Sequence, residues 1–255
     1  MAESGWLEEE RHHQLVFRPA QTPPGILVAF SGRGAAPENS GSPTAFLARR
    51  FAAALSLDGT PIVRASQVHG NTAVVVREAP SDGTIQDAGK CDILVTNLPG
   101  VALVVQTADC LPILLTSPRA VGTAHAGWRG SACNAAGAAV RALAELGAEP
   151  RSLSARLGPA IGACCYEVGG EVAAQFAGQF LRSSCEGRYR LDLHAVNRAQ
   201  LEAAGVLPEN ISSHPACTQC GGERFASYRR DGAAAGRMIA LVVRLARTEA
   251  MSDLT

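Results

Sequence analysis

The chain has 255 residues with 23 basic and 23 acidic side chains, so no net field steers it toward a polyanion, and no basic stripe interleaved with aromatics marks a nucleic-acid surface. Hydrophobic residues make up 47% and charged residues 18%, with 26 glycines and 14 prolines scattered along the chain, which excludes disordered and collagen-like classes. A globular chain of this length is expected to form one domain over residues 1–255, with its core over about 25–245.

The first segment, MAESGWLEEERHHQLVF, is charged and lacks the apolar stretch of a secretory signal. A strand is predicted at 25–31, followed by a loop at 32–42 and a helix at 43–57, where Ser42 caps and Pro43 suits the first turn. β-Branched and apolar runs predict strands at 62–68, 72–77, 92–96, 101–107, 112–116 and 120–124, with a second loop at 78–90. The most apolar stretch, Val101 to Leu115, is interrupted by Gln106, Asp109 and Pro112, so no membrane span is expected and the reading is a soluble, cytoplasmic protein. Helices follow at 131–146, stopped by Gly147, at 168–180, and at 193–204, ended by Gly205. The last strand is 237–244. Strands come in runs, without an internal repeat, which predicts an α+β fold of layered mixed sheets rather than a doubly wound parallel sheet.

Eight cysteines in a chain of this size without an export signal read as reduced thiols, metal ligands or a nucleophile. Three segments concentrate chemistry. His69 closes a predicted strand in Gln67-Val68-His69-Gly70, where it can project into a cleft or serve as an ordinary hydrogen-bonded histidine. In Thr107-Ala108-Asp109-Cys110 an acid and a thiol interrupt an apolar run, and an unpaired buried carboxylate costs several kcal/mol, so Asp109 needs a partner. His125 leaves a strand through Gly127-Trp128-Arg129-Gly130 into a helix, a junction whose N–H groups and Arg129 suit an anion, unless it is simply a tight turn around a packed Trp128.

Two imidazoles and a thiolate, His69, Cys110 and His125, are good ligands for zinc, and three ligands leave a fourth position open for catalysis; the same donors accept copper. A cysteine hydrolase with Cys110 as nucleophile and a histidine as base uses the same residues. The glycine spacing matches neither a Walker A loop nor a dinucleotide fingerprint. Cys217-Thr-Gln-Cys220 has metal-knuckle spacing but no second pair in sequence and reads as structural or redox-labile; Cys164-Cys165 follows a run of small residues, and Cys133 reads as core. His194 and His214 have no ligand-spaced neighbour, His12 and His13 sit in a charged stretch, and Arg229 and Arg230 read as a solvated turn with reach toward an anion.

The ordered set QVHG, TADCLPILL, GTAHAGWRG, LGPAIGACCYEVG, LDL with a downstream asparagine, and CT followed by FASYRRDG and GR, running from about residue 25 to 245, resembles the laccase-domain family, also called the multicopper polyphenol oxidase or purine nucleoside phosphorylase family. The resemblance implies a single-domain α/β/β/α layered fold and a metal site of His69, Cys110 and His125. It implies phosphorolysis of adenosine, inosine and methylthioadenosine, with deamination of adenosine; a branch of the family instead implies a peptidoglycan-editing hydrolase acting on an amide of a cell-wall precursor. Asp109 is then the acid/base candidate, and Arg33 and Arg129 the substrate and phosphate holders. A laccase would need several coppers, for which six histidines, four of them poorly placed, are too few. The chain departs from the family at Phe30-Ser31-Gly32-Arg33-Gly34-Ala35-Ala36, where Arg33 is kept and two glycines have become alanines, so substrate handling there is expected to differ. A zinc-containing binding protein without turnover is the reading from another class.

Overall fold

The computed structural model of the chain describes residues 5–36, 41–185 and 187–246. Side-chain parity along its long strands explains the layers. In the strand Met238–Arg244, Met238, Ala240 and Val242 enter one core while Ile239, Leu241 and Val243 enter another. Ala102–Thr107 divides in the same way, so both strands read as continuous apolar runs because both of their faces are covered.

A seven-stranded sheet orders its strands Trp6–Arg11, Gln14–Pro19, Ile26–Ser31, Met238–Arg244, Ala102–Thr107, Ile62–Arg64 and Ile85–Asp87. A six-stranded sheet runs Ile211–Ser213, Ser154–Leu157, Leu111–Thr116, Val121–Ala126, Ile93–Thr96 and Ala73–Val75. The inner faces meet around Phe17, Phe30, Leu94, Leu103 and Leu114. Helix Pro43–Ala54 covers the outer face of the first sheet through Leu47, Phe51 and Leu55 just beyond its end. Helices Ala135–Glu145 and Leu193–Ala203 cover the second sheet through Ala139, Leu143 and Leu201. Each fully buried Leu, Ile or Phe contributes about 1.5–3 kcal/mol. The fold is the expected α+β arrangement, with four layers in the order helix, sheet, sheet, helix. A three-stranded sheet, Glu167–Gly169, Arg188–Leu191 and Leu181–Ser183, flanks it. No described helix is long and apolar enough to cross a membrane.

Several elements differ from expectation for identifiable reasons. The charged start of the chain forms a hairpin, Trp6–Arg11 with Gln14–Pro19, whose register leaves His12 and His13 as a two-residue turn with φ of 48° and 58°. That is the type I′ pattern, here without its usual Asn-Gly signal. Its outer strand is an edge rich in Glu and Arg, with Glu9 bridging Arg11 and Arg18 at 2.9 and 2.7 Å, so no apolar alternation announces it. The predicted helix 168–180 is instead a strand, one helical turn at Gly170–Ala173 and a 3₁₀ turn at Gly178–Phe180. Glycines at 169, 170 and 178 weaken a helix there, and pairing of Glu167–Gly169 with Arg188–Leu191 takes its start. The predicted helix 131–146 begins earlier, at Trp128, and breaks at Asn134, which adopts φ of 60° and caps Ala135–Glu145 by accepting from Gly137 N–H at 3.0 Å. Strand 62–68 ends at Arg64, and the loop 78–90 contains the strand Ile85–Asp87.

His214 lies under the hairpin against the rings of Trp6, Phe17 and Phe225, with centroids 5.0, 5.0 and 6.1 Å away. Burial pushes its pKa from 6.5 down to about 4, and the positive charges of His194 and Arg224 act in the same direction. Between those two values the unfolded chain binds a proton that the folded chain does not, so this contribution is complete above pH 6.5 and is lost as the pH falls toward 4. His214→Gln keeps an acceptor for the Ala216 N–H without a titrating group. Urea midpoints are expected to fall less between pH 7 and 4.5 in this variant than in the parent; equal falls would refute the assignment.

Candidate metal centre and the cavity beside it

Two crossings between the sheets build the site. The chain passes from the first sheet to the second between Ile62–Arg64 and Ala73–Val75, and again between Ala102–Thr107 and Leu111–Thr116. His69 stands on the first crossing and Cys110 on the second. His125 is the penultimate residue of Val121–Ala126 and is buried. The ligating atoms of these three residues lie within 4.8 Å of one another, and the two imidazoles meet edge to face with centroids 4.8 Å apart. Gln67 ties the crossings together: its amide donates to Gln106 O and accepts from Gln106 N–H, both at 2.8 Å, in the manner of one more ladder pair.

A residue that sequence reasoning passed over organises this geometry. Asp92 is fully buried, and its carboxylate accepts from Val68, His69 and Gly70 N–H at 3.2, 2.9 and 2.7 Å. Converging three successive N–H groups on one anion makes a nest, and it accounts for His69 holding a left-handed φ of 64°, a conformation that costs a non-glycine residue on the order of 1 kcal/mol. The fourth donor is His125 Nδ1–H at 2.8 Å, which in the neutral ring fixes the tautomer and turns the Nε2 lone pair toward Cys110 and the proposed ion. The signal was available: Asp92 opens an apolar strand run as Asp109 interrupts one, and the same cost of burying a carboxylate applies to both.

The charges are coupled. Burial opposes ionisation of Asp92, but the hydrogen bonds from His125, Gly70 and His69 win and hold its carboxyl below the usual range. Burial would push the Cys110 thiol up; hydrogen bonds and positive charge from His125 and His69 overcome it and bring the pKa down to about 6. Burial would likewise lower His125, yet Asp92 and Cys110 raise it to about 9. The centre thus favours a thiolate at neutral pH, the form that binds metal or attacks carbon.

Beside the centre lies a cavity of about 410 Å³, within the range of small-molecule sites. His69 and Cys110 line it, together with Tyr166, Tyr228, Arg229 and Arg237. Asp109 is also on the wall, at φ of 84°, with both oxygens engaged: Thr218 Oγ1–H donates to Oδ1 and Arg229 N–H to Oδ2, each at 2.6 Å. The sequence expected Arg33 and Arg129 at the substrate, but neither lines this cavity. Arg33 faces Asp231 at 3.4 Å and donates to Ala234 O at 3.1 Å. Arg129 lies 4.4 Å over the Trp128 ring, and its charge reaches Tyr166 on the cavity wall. Arg229, read from the sequence as part of a solvated turn with reach toward an anion, has its guanidinium 5.3 Å from the centre of the Tyr166 ring. It reaches the wall because Asp109 holds its backbone, a contact across 120 residues that no local pattern carries.

The fold and site belong to a known class. A model of the multi-copper polyphenol oxidoreductase laccase family matches residues 45–245, and the chain is a member of that family. More particularly, it is 42% identical over 199 residues to a purine nucleoside phosphorylase of Deinococcus radiodurans, covering 76% of this chain and 74% of the relative. It is 37% identical over 196 residues to adenosine deaminase RL5 of an unknown prokaryotic organism, covering 72% and 75%. The crystal structure of YlmD from Geobacillus stearothermophilus superposes with a TM-score of 0.81 and 30% identity, over 95% of this chain and all of that one.

The family's multi-copper description does not match the histidines of this chain. His12 and His13 form the hairpin turn, His194 donates to Gly158 O at 3.1 Å, and His214 lies among aromatic rings. Among the described residues, therefore, no further histidines converge as a copper cluster requires. The donor set of His69, Cys110 and His125, with Asp92 behind His125, fits a single borderline-soft ion with an open position.

Proposed function

We propose that this protein is an enzyme of purine nucleoside metabolism, a zinc-dependent phosphorylase for adenosine, inosine and methylthioadenosine that also deaminates adenosine. The observation that carries this reading is the convergence of His69, Cys110 and His125 beside a nucleoside-sized cavity whose lining includes two tyrosines and two arginines. The names of the phosphorylase and deaminase relatives support it. When bound, zinc supplies a Lewis acid that polarises a substrate group or lowers the pKa of water.

The chain's own residues account for the rest. Tyr166 and Tyr228 offer faces against which a purine stacks. Arg229 and Arg237 hold phosphate in place of the Arg33 and Arg129 expected from sequence, with Arg129 adding positive potential from outside the wall. Phosphate oxygen then bonds to the anomeric carbon as the glycosidic C–N bond breaks, and the proton given up by the hydrogenphosphate passes to the departing base. These residues contribute by positioning and charge stabilisation. In deamination, water adds at the amino-bearing carbon and ammonia departs. Asp109 first fixes the Arg229 segment; each of its oxygens retains a lone pair with which to take a proton from water.

Adenosine incubated with and without phosphate, with products separated by chromatography, tests the reading. Adenine and a ribose phosphate ester are expected only with phosphate, inosine without it, and both reactions should stop on chelation and return with zinc. A second reading, a hydrolase with Cys110 as nucleophile, is favoured by the depressed thiol pKa. It predicts phosphate-independent amide cleavage that survives chelation, and that result with untouched adenosine would replace the first reading.

A further inference from the structure

Two cysteine pairs that look unrelated in sequence meet in space. Cys217-Thr-Gln-Cys220-Gly221 forms a tight turn in which Gly221 N–H donates to Cys217 O at 2.8 Å. Across from it, Cys164 and Cys165 sit in a second turn, where Cys165 and Tyr166 N–H both donate to Gly162 O, at 2.9 and 2.8 Å. The four sulfurs lie within 4.8 Å of one another, and Cys164 Sγ is 3.7 Å from Cys220 Sγ. A tetrahedral ion with metal–sulfur bonds of about 2.3 Å has S···S edges of about 3.8 Å, against about 2.05 Å in a disulfide.

We propose that Cys164, Cys165, Cys217 and Cys220 form a second, closed zinc site that braces the wall of the cavity, separate from the His69, Cys110 and His125 centre. Four thiolates fill the tetrahedron and leave no open position, which is the signature of a structural rather than a catalytic ion. The surroundings are built for it. Gly162 N–H donates to Cys217 Sγ at 3.2 Å, a bond that favours the thiolate. A Cβ on Gly162 would sit 3.3 Å from Cys164 Sγ and 3.2 Å from Cys217 Cβ, so glycine admits the backbone to the cluster. The Arg230 guanidinium, itself paired with Asp231, donates to Thr218 O, Gln219 O and Gly222 O at 3.0, 3.1 and 2.9 Å and so holds the turn that carries Cys217 and Cys220. Cys164 and Cys220 are exposed, which gives an ion a path in.

The brace acts on the cavity through both arms. Ile161 and Tyr166, flanking the first pair, line the cavity, and Thr218, next to Cys217, holds the Asp109 carboxylate. Joining segments some 55 residues apart removes freedom from a wall that is otherwise made of short turns.

Metal content and spectroscopy decide the matter without reference to activity. The parent chain purified with zinc should carry two ions. Cys110→Ala/His125→Ala should keep one, and its cobalt-loaded form should show the intense thiolate-to-metal charge transfer and strong visible bands of a four-sulfur tetrahedral ion. Cys164→Ser/Cys220→Ser should also carry one ion, now with the weaker charge transfer of a single thiolate. A folded Cys110→Ala/His125→Ala chain that binds no zinc overturns the proposal. So does a cobalt spectrum without multiple thiolates, or a thiol titration showing these four cysteines paired as disulfides in protein purified under reducing conditions. Should the second double variant fail to fold, the cobalt spectrum of the first still decides. Loss of the His69, Cys110 and His125 ion alone would instead fault the catalytic reading and leave this site standing.

Discussion

Asp92→Asn should weaken metal binding at the proposed centre, although Asp92 is not one of its three ligands. The carboxylate accepts four hydrogen bonds, three from the backbone around His69 and one from His125 Nδ1. An amide of the same shape offers one oxygen and turns an NH₂ group toward donors. Loss of this buried, charge-assisted network costs on the order of 3 kcal/mol. Release of the His69 turn and of the His125 tautomer should weaken metal binding at this centre by about 10- to 100-fold. Zinc affinity by competition with a chelator, and urea unfolding of the zinc-free chain, check the two effects separately. The centre would be shown not to depend on Asp92 if the variant held zinc with parental affinity.

Gly127→Ala is expected to weaken metal binding at the proposed centre while sparing the fold. Gly127 caps the helix Trp128–Ala132 with φ of −70°, which any residue adopts, so glycine is needed there for space and not for conformation. A Cβ at this position would lie 2.7 Å from Cys110 Sγ and 3.4 Å from His69 Cδ2. The sulfur must move by roughly 1 Å, whereas ligand distances in metal sites hold to about 0.2 Å. Affinity and turnover should fall by about 100-fold, with the thermal midpoint of the zinc-free chain little changed. Gly169→Ala, where a Cβ meets nothing within 4 Å, is the matched control. Parental zinc content in Gly127→Ala would show that Cys110 does not ligate from the position seen here.

The sequence by itself determined the long elements and picked out the three residues proposed for the centre. Continuous apolar runs such as Ala102–Thr107 and Met238–Arg244 are legible because both their faces are buried, and helices Pro43–Ala54 and Leu193–Ala203 carry their own caps in Ser42 and Asp192. His69, Cys110 and His125 stood out because imidazoles and a thiol at strand ends interrupt apolar patterns. Tertiary structure alone decided what depends on distant pairing. The hairpin at the start is an edge strand without alternation, and the segment after Glu167 gives up a helical pattern to a strand partner some twenty residues on. Asp92 reaches the His69 turn across 22 to 24 residues, Arg229 reaches the cavity through Asp109, and four cysteines meet from two turns. Local periodicity records which face of an element is buried; it holds no record of which other element supplies the partner, and a site assembled at crossings between two sheets is made of such partners.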